Sequence, residues 1–239
     1  MENQTIVVSG LTNQEFLERY MQPGRVGLCG GITNVDKVIL RAQRHQDDQK
    51  RWSQWSHAFF FQGIRADGHH WVIESDIQIL RKHIQLGVQE NRVSKYFKDD
   101  FYTTLAILDF GLSEEQVTRL IREGLELVAN HERYSLRELI GTLIAIRRPG
   151  MRSQANPLAR ERSVYCSAFV NRLFRQIGLD LAPGIDGKHT TPEDISRTPV
   201  PHTTYLLQRE TAPGKLAVLR SRLRQRVDDR LKKIKTRAA

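Results

Sequence analysis

Apolar residues recur every three or four positions along several stretches of the chain, and this spacing is typical of amphipathic helices. Thr12 opens a capping-box pattern that predicts a short N-terminal helix within residues 1–22. Ser113 and Ser135 open two further patterns of this kind, and an apolar stripe at helical spacing follows each of them. We therefore expect a helical insertion over residues 77–150.

Two other stretches favour strands. Residues 57–63 read HAFFFQG and residues 70–76 read HWVIESD, and both are short and rich in β-branched or aromatic side chains. Asp67 and Gly68 between them are a turn signal, so the two strands are expected to form a hairpin. Residues 35–43, VDKVILRAQ, are predicted to be one more strand.

The stretch 163–174, SVYCSAFVNRLF, combines a single cysteine with a helical pattern. A helix is predicted to begin at Cys166 and to end at Gly178, since glycine is common just after a helix. The apolar stripe of this helix consists of Val170, Leu173, Phe174 and Ile177. At the start of the helix, Cys166 would lie near unpaired N–H groups that stabilise a thiolate.

The chain has 239 residues, of which 39% are hydrophobic, and this suits one large domain with an appended segment. No apolar run of about 18 residues occurs, and no basic region followed by an apolar run opens the chain, so neither a transmembrane helix nor a secretory signal is expected. Cys29 and Cys166 are too few for a disulfide framework. The cytoplasm is the expected location, with peripheral attachment to a membrane as the alternative.

The formal net charge of +10 is concentrated near the C-terminus. Residues 215–237 carry ten Lys or Arg and two Asp, a net charge of +8, so the rest of the chain is nearly balanced. Apolar residues recur at helical spacing in this segment, so we expect a basic amphipathic helix over residues 210–239. Its expected partner is an anionic surface, either a membrane or a nucleic acid, and the alternative is a solvated helix that packs on the domain.

A nucleophilic cysteine needs a base, usually a histidine, and a third polar group that orients the base. His57 is the best placed of the eight histidines, because it precedes an apolar strand directly after a polar loop. Glu74 lies in an otherwise apolar strand, where a charged side chain requires a partner. A hairpin register that opposes these two residues would put both on one face, and Asp76 is the alternative third member.

A metal site built from His69, His70, Cys29 and Cys166 is the competing interpretation of these side chains. The chain has no CxxC or HExxH spacing, and it has no glycine motif for a phosphate or a dinucleotide. We therefore expect neither a metal nor a cofactor, and we expect Cys29 to be a structural thiol.

The segments SHAFFFQG, WVIESD and VYCSAFVNRLF, followed by TPEDI, resemble the circularly permuted branch of the NlpC-type papain-like superfamily. This branch includes YiiX-like bacterial proteins and relatives of lecithin:retinol acyltransferase. In it a histidine opens a strand, a polar residue lies on the next strand, and a Cys-Ser pair begins a later helix. The resemblance matches His57, Glu74 and Cys166 to these positions and covers residues 23–199, with Arg25 standing where the family often has aspartate.

The resemblance implies an α+β, permuted papain-like domain over residues 23–205, with a small, mainly antiparallel sheet packed on the Cys-bearing helix. It implies a cysteine hydrolase or acyltransferase that acts on an amide or ester bond through the triad Cys166, His57 and Glu74 and a thioester intermediate. The implied substrate is a peptide, an isopeptide or an acyl lipid. The alternative is a catalytically inactive papain-like binding module whose basic C-terminal helix binds an anionic surface.

Overall fold

A computed structural model describes residues 3–46, 48–80, 83–130 and 166–209 of the protein. Within these residues the strands are β1 (Gln4–Ser9), β2 (Val26–Gly31), β3 (His57–Ile64), β4 (His70–Leu80), β5 (His83–Arg92), β6 (Tyr102–Asp109) and β7 (Thr203–Gln208). The helices are α1 (Asn13–Tyr20), α2 (Asn34–Ala42), α3 (Glu114–Ala129), α4 (Cys166–Gln176) and α5 (Pro192–Ser196).

The seven strands form one sheet in the order β1-β7-β6-β2-β3-β4-β5. Strands β1 and β7 are parallel, and every other neighbouring pair is antiparallel. The expected α+β class with a mainly antiparallel sheet is therefore confirmed. Strand β1, which the apolar pattern did not reveal, precedes the predicted N-terminal helix and joins that helix to the sheet.

The predicted hairpin of β3 and β4 is present, but the prediction of a helical insertion over residues 77–150 is wrong for its first part. Residues 77–80 extend β4, which pairs with β5 from Trp71 opposite Arg92 to Leu80 opposite His83. A 3-10 turn (Val93–Phe97) and β6 follow. Pairing with a neighbouring strand stabilises an extended backbone, and a single stretch of sequence does not show that partner.

Helix α3 begins after Ser113, whose side chain accepts a hydrogen bond from the backbone N–H of Gln116, so the second capping box is confirmed. The first capping box is confirmed in the same way, because the Thr12 side chain accepts from the backbone N–H of Glu15 at the start of α1. Residues 131–150, which include the third pattern, and the predicted helix at 210–239 lie outside the described residues.

The predicted strand at residues 35–43 is wrong, because this segment is helix α2. Thr33 and Asp36 form a capping box in which the Thr33 side chain accepts from the Asp36 backbone N–H and the Asp36 carboxylate accepts from the Thr33 N–H at 2.9 Å. The apolar residues Val35, Val38, Ile39 and Ala42 are three or four positions apart, which is helical spacing. The capping residues therefore carried the information that decides this element.

The two faces of the sheet bury different parts of the hairpin. Alternation along β3 places Ala58 and Phe60 in the hydrophobic cluster that includes α4, and Phe59 and Phe61 in the cluster that includes α1. All four of these side chains are essentially inaccessible to solvent. The core around α4 therefore fixes the helix that begins at Cys166 against the centre of the sheet.

Two glycines are required here, one by close packing and one by its backbone conformation. A Cβ atom on Gly27 of β2 would lie 2.2 Å from the Phe59 ring, so only glycine lets the ring lie against the strand. Gly178 has a φ of +81° and follows α4, as predicted for the residue that ends this helix.

Arg25 stands where the family that the sequence resembles often has aspartate. Its side chain forms an ion pair with Asp109 of β6 at 2.5 Å.

Candidate active site

His57 is the first residue of β3, and its ring contacts the neighbouring strand. Phe60 pairs with Ile73, so the register places Glu74 across from Phe59 and makes it a diagonal neighbour of His57. The expected common face is therefore present, with an offset of two residues from direct opposition. The Nε2 atom of His57 lies 2.5 Å from a carboxylate oxygen of Glu74.

Glu74 is wholly buried, and four donors surround its carboxylate. Besides His57, it accepts hydrogen bonds from the Tyr96 hydroxyl, from Asn91 Nδ2 at 2.7 Å and from Lys95 Nζ at 2.8 Å. Burial alone would raise the pKa of Glu74, but the charge of Lys95 and the hydrogen bond to His57 outweigh it and hold the pKa well below its usual range. Glu74 is therefore a carboxylate at neutral pH.

Lys95 links Glu74 to the other acidic residue of β4. Its Nζ atom lies 2.5 Å from a carboxylate oxygen of Asp76 and 2.8 Å from one of Glu74. Burial would lower the pKa of Lys95, but the two carboxylates outweigh it and raise the pKa above its usual value. Asp76 thus pairs with Lys95, and the carboxylate at the His57 ring is that of Glu74.

Cys166 is the first residue of α4, and its thiol interacts with the His57 ring. Its sulfur is within hydrogen-bonding reach of the ring. Burial would lower the pKa of His57, but the charge and hydrogen bond of Cys166, together with Glu74, raise the pKa well above its usual value. Because Glu74 engages Nε2, Nδ1 is the ring nitrogen that is available to the sulfur.

Polar contacts anchor the first turns of α4. The Ser167 hydroxyl donates to the Thr190 carbonyl at 2.6 Å, and Asn171 donates from Nδ2 to the Thr190 hydroxyl at 3.2 Å. Asn171 also accepts from the backbone N–H of Leu181 at 2.9 Å. These bonds hold the start of the helix against the segment that contains TPEDI. Ser167 of the Cys-Ser motif therefore has a structural role.

The start of β3 is held by a second set of bonds. Ser56, directly before His57, donates from its hydroxyl to the Asp36 carboxylate of α2 at 2.7 Å. Gln43 donates from Nε2 to the carbonyl of Trp55 at 2.8 Å and accepts from the backbone N–H of Glu193 at 2.9 Å. Helix α2 and the TPEDI segment therefore position the chain that leads into His57.

A pocket of about 180 Å³ opens beside this segment. Arg51, Trp52, Trp55, Glu193 and Arg197 are among the residues that line it. Trp55 also belongs to the large hydrophobic cluster that contains Cys166. Of the aromatic residues near β3, the two tryptophans thus line a cavity, whereas the three phenylalanines are core.

The remaining candidates from the sequence do not join this arrangement as a metal site. His70 lies opposite Ile64, at the far end of the hairpin from His57. Cys29 is on the neighbouring strand, where it is the Cα partner of His57, and it is completely buried. The structure therefore does not gather His69, His70, Cys29 and Cys166 around one point.

Sequence reasoning missed Asn91, Lys95 and Tyr96, all of which contact the Glu74 carboxylate. They lie in β5 and in the 3-10 turn after it, in the region that was predicted to be helical. The signal that pointed toward them was indirect. A carboxylate in the middle of an apolar strand requires a cation and hydrogen-bond donors, but the sequence does not say where along the chain they are.

The fold and this site together define an α+β protein with a Cys-His-Glu arrangement at one end of a mainly antiparallel sheet. The structure is similar to that of YiiX, a metalloprotein from Escherichia coli O157:H7, with a TM-score of 0.51 and 13% sequence identity. The similarity covers 79% of this chain and 98% of YiiX. The fold of the described residues is therefore similar to that of YiiX.

No family model and no curated protein matches the sequence. None of the described helices is both long and apolar enough to cross a bilayer.

YiiX is described as a metalloprotein, and whether a metal ion fits this chain depends on the donor side chains that its described residues bring together. Among the described residues, no group of three or more His, Cys, Asp or Glu side chains is arranged to hold one. Both oxygens of Glu74 already accept hydrogen bonds, and the Lys95 ammonium beside them would repel a cation. These residues do not fit a metal site.

Proposed function

We propose that the protein is a cysteine hydrolase or acyltransferase that acts on an amide or ester carbonyl. The observation that carries this proposal is the contact chain from the Cys166 sulfur through the His57 ring to the buried Glu74 carboxylate. In this chain Cys166 is the nucleophile, His57 the base and Glu74 the group that orients the base.

The reaction begins with attack of the Cys166 thiolate on the carbonyl carbon, which forms a C–S bond and a tetrahedral oxyanion. His57 has taken the thiol proton and gives it to the leaving nitrogen or oxygen as the bond to the carbonyl carbon breaks. The resulting thioester is attacked by water or by another acceptor, which loses its proton to His57. The thiolate then leaves, and the acyl group is released as an acid or transferred.

The position of Cys166 at the start of α4 supports the stabilisation of the oxyanion. The backbone N–H groups in the first turn of a helix lack intrahelical acceptors and point toward its N-terminus. The backbone N–H of Cys166 is one of them, so it is the proposed donor to the developing negative charge. Glu74 accepts from His57 throughout, which keeps Nδ1 directed at the sulfur.

The pocket beside Trp55 supports a substrate that has an apolar or planar group next to the reacting carbonyl. Trp52 and Trp55 provide flat apolar surface, and Arg51 brings positive charge to the same cavity, where Arg197 is paired with Glu193. An acyl chain or an aromatic acyl group suits this lining. The proposed substrates are therefore acyl lipids, peptides or isopeptides with such a group on the acyl side.

Trapping of the thioester tests the proposed function. The full-length protein is mixed with p-nitrophenyl esters of short and long acyl chains, quenched in acid and examined by intact mass and peptide mapping. We expect a mass increase of one acyl group on Cys166 that hydroxylamine removes. Cys166→Ala should form no adduct, and Cys29→Ala should form the same adduct as the wild type. If the wild type forms no adduct with any of the esters in the series, the alternative of an inactive binding module is favoured.

A further inference from the structure

Exposed apolar side chains are concentrated in one part of the described structure. Six large hydrophobic side chains are strongly exposed within residues 3–46, 48–80, 83–130 and 166–209. Four of them lie within a span of 21 residues, and the other two, Val7 and Ile64, are elsewhere. The four are Ile32 (47% exposed), Val35 (41%), Val38 (44%) and Trp52 (51%).

The first three of these side chains form a stripe on α2. Val35 and Val38 are three residues apart in the helix and are therefore neighbours on its surface, and Ile32 precedes the helix by the same interval. Ala42, farther along, is buried and fixes the side of the helix that faces the protein. The stripe thus continues the apolar face of α2 beyond the part that the core covers.

Trp52 lies at the other end of α2. The backbone N–H of Ser53 donates to the carbonyl of Leu40 at 3.2 Å, so the segment around residue 52 runs beside the end of the helix. Trp52 is half-exposed, and tryptophan is one of the two residue types that are enriched at the boundary between lipid and water.

Basic side chains lie on the helix that carries this stripe and in the segment after it. Lys37 and Arg41 are exposed on α2, and Arg44, Lys50 and Arg51 are exposed in the segment that follows. The name α2 surface is used below for these five cations together with Ile32, Val35, Val38 and Trp52. Exposed apolar side chains combined with cations are what an anionic bilayer binds.

The α2 surface lies at the same end of the sheet as the proposed nucleophile. Asp36 of α2 accepts a hydrogen bond from Ser56, the residue directly before His57. Trp52 and Arg51 also line the pocket that shares Trp55 with the cluster around Cys166. A bilayer in contact with this surface would therefore present its acyl groups near the pocket.

We propose that the α2 surface docks the protein on a membrane with anionic headgroups, so that the substrate of the site is an acyl lipid. The choice of substrate rests on the proposed function, whereas the docking itself does not need catalysis. The apolar stripe favours a membrane over a nucleic acid, since nucleic acid is bound through cations and stacked aromatic rings and gains little from aliphatic side chains.

Vesicle binding by full-length Cys166→Ala protein tests the docking without turnover. Sedimentation is measured with vesicles of phosphatidylcholine and with vesicles of an equimolar mixture of phosphatidylcholine and phosphatidylglycerol. We expect binding to the anionic vesicles, a loss of about tenfold or more in Val35→Asp/Val38→Asp, and a similar loss in Lys37→Gln/Arg41→Gln. The emission of Trp52 should shift to the blue on binding, and this shift should be absent in Trp52→Phe.

Ile64→Asp is the matched control, because Ile64 is exposed by 65% but lies at the far end of β3 from His57. It should bind the anionic vesicles as tightly as the Cys166→Ala parent. Equal binding by Val35→Asp/Val38→Asp would overturn the proposal and assign the interaction to other cations of the chain. If only Lys37→Gln/Arg41→Gln reduced binding, the contact would be electrostatic, and a nucleic acid would become the better partner.

Thioester formation with a soluble ester separates this proposal from the proposed function. It is measured in Val35→Asp/Val38→Asp with Cys166 intact, and circular dichroism confirms that the variant is folded. An acylated variant that no longer binds vesicles supports both proposals. If the wild type is acylated by soluble esters but does not bind anionic vesicles, the docking proposal is refuted and the proposed hydrolase function is unaffected.

Discussion

The two cysteines of this protein both lie near the same histidine, yet their surroundings differ in kind. Cys29 is the Cα partner of His57 in the β2–β3 register, and Cys166 begins α4 within reach of the His57 ring. Both are free and buried, with exposed fractions of 0% for Cys29 and 9% for Cys166. Proximity to His57 therefore does not by itself distinguish a nucleophile from a core residue.

The difference between the two thiols comes from secondary structure and solvation. Cys29 lies inside a strand that is paired on both sides, and burial raises its pKa well above the usual value despite the nearby charge of Lys95. Cys166 lies at a helix start, where N–H groups and the His57 imidazolium can stabilise a negative charge. The proposed reactivity of Cys166 thus depends on the helix start and on the His57 ring together.

The largest expected difference is in the rate of ester hydrolysis when each cysteine in turn is replaced by alanine. Cys166→Ala is expected to lower ester hydrolysis by at least about a thousandfold, because no other group can form the thioester. Cys29→Ala should keep the wild-type rate within about twofold, since its sulfur is inaccessible. Initial rates with a p-nitrophenyl ester measure both. A comparable loss of hydrolysis rate in the two variants would contradict the proposed difference between Cys166 and Cys29.

Replacement of His57 should make Cys166 behave like an ordinary thiol. His57→Gln is expected to lower the rate of Cys166 alkylation by iodoacetamide at pH 6 by about a hundredfold or more, since the thiolate loses its imidazolium partner. The rate is followed by mass spectrometry, which distinguishes Cys166 from the buried Cys29, and Cys29 should stay unmodified while the protein is folded. Unchanged alkylation of Cys166 in this variant would show that His57 does not activate the thiol.

Thermal unfolding gives a second measurement on the same variant. The pKa of His57 is raised in the folded protein, so its contribution to stability is complete below the unfolded value of about 6.5 and is lost as the pH rises through the folded value. The wild type should therefore lose stability as the pH rises above about 6.5, and His57→Gln should have a flatter curve over that range. Parallel curves of stability against pH for the wild type and His57→Gln would contradict the raised pKa of His57.

Removal of the charge on Asp76 or on Lys95, which lie beside Glu74, should shift the pKa of His57 in opposite directions. Glu74, Asp76 and Lys95 together carry one net negative charge, which the His57 imidazolium balances. Asp76→Asn removes a negative charge and should move the alkaline limb of the pH–rate profile to lower pH, whereas Lys95→Met should move it to higher pH. Structural damage would shift both variants in the same direction, so opposite shifts identify an electrostatic effect.

The smallest expected effect concerns Cys29 alone. Cys29→Ala removes a fully buried sulfur next to Phe59 and Tyr96 in the core on the α1 side, and it should cost about 1 kcal/mol in the free energy of unfolding. Urea denaturation measures this cost, with Val7→Ala as an exposed reference that should cost much less. A fall in activity without a fall in stability would show that Cys29 has a role in the site.

Local patterns predicted the elements whose signals are local. The capping boxes before α1 and α3, the hairpin turn between β3 and β4, and the glycine after α4 each depend on residues a few positions apart. The errors fell where the deciding partner was distant or where a cap was overlooked. Residues 77–80 and 83–92 are strands because β4 and β5 pair along their length, and residues 35–42 belong to a helix that Thr33 caps.

The sequence by itself determined the chemical types of the candidate site: a cysteine before a helical stripe, a histidine before an apolar strand and a carboxylate where a strand should be apolar. Only the tertiary structure decided that Glu74 contacts the His57 ring while Asp76 pairs with Lys95. Two carboxylates of one strand point to the same face, so local pattern cannot rank them. The choice depends on strand register and on a lysine about twenty residues away, and both are set by packing in three dimensions.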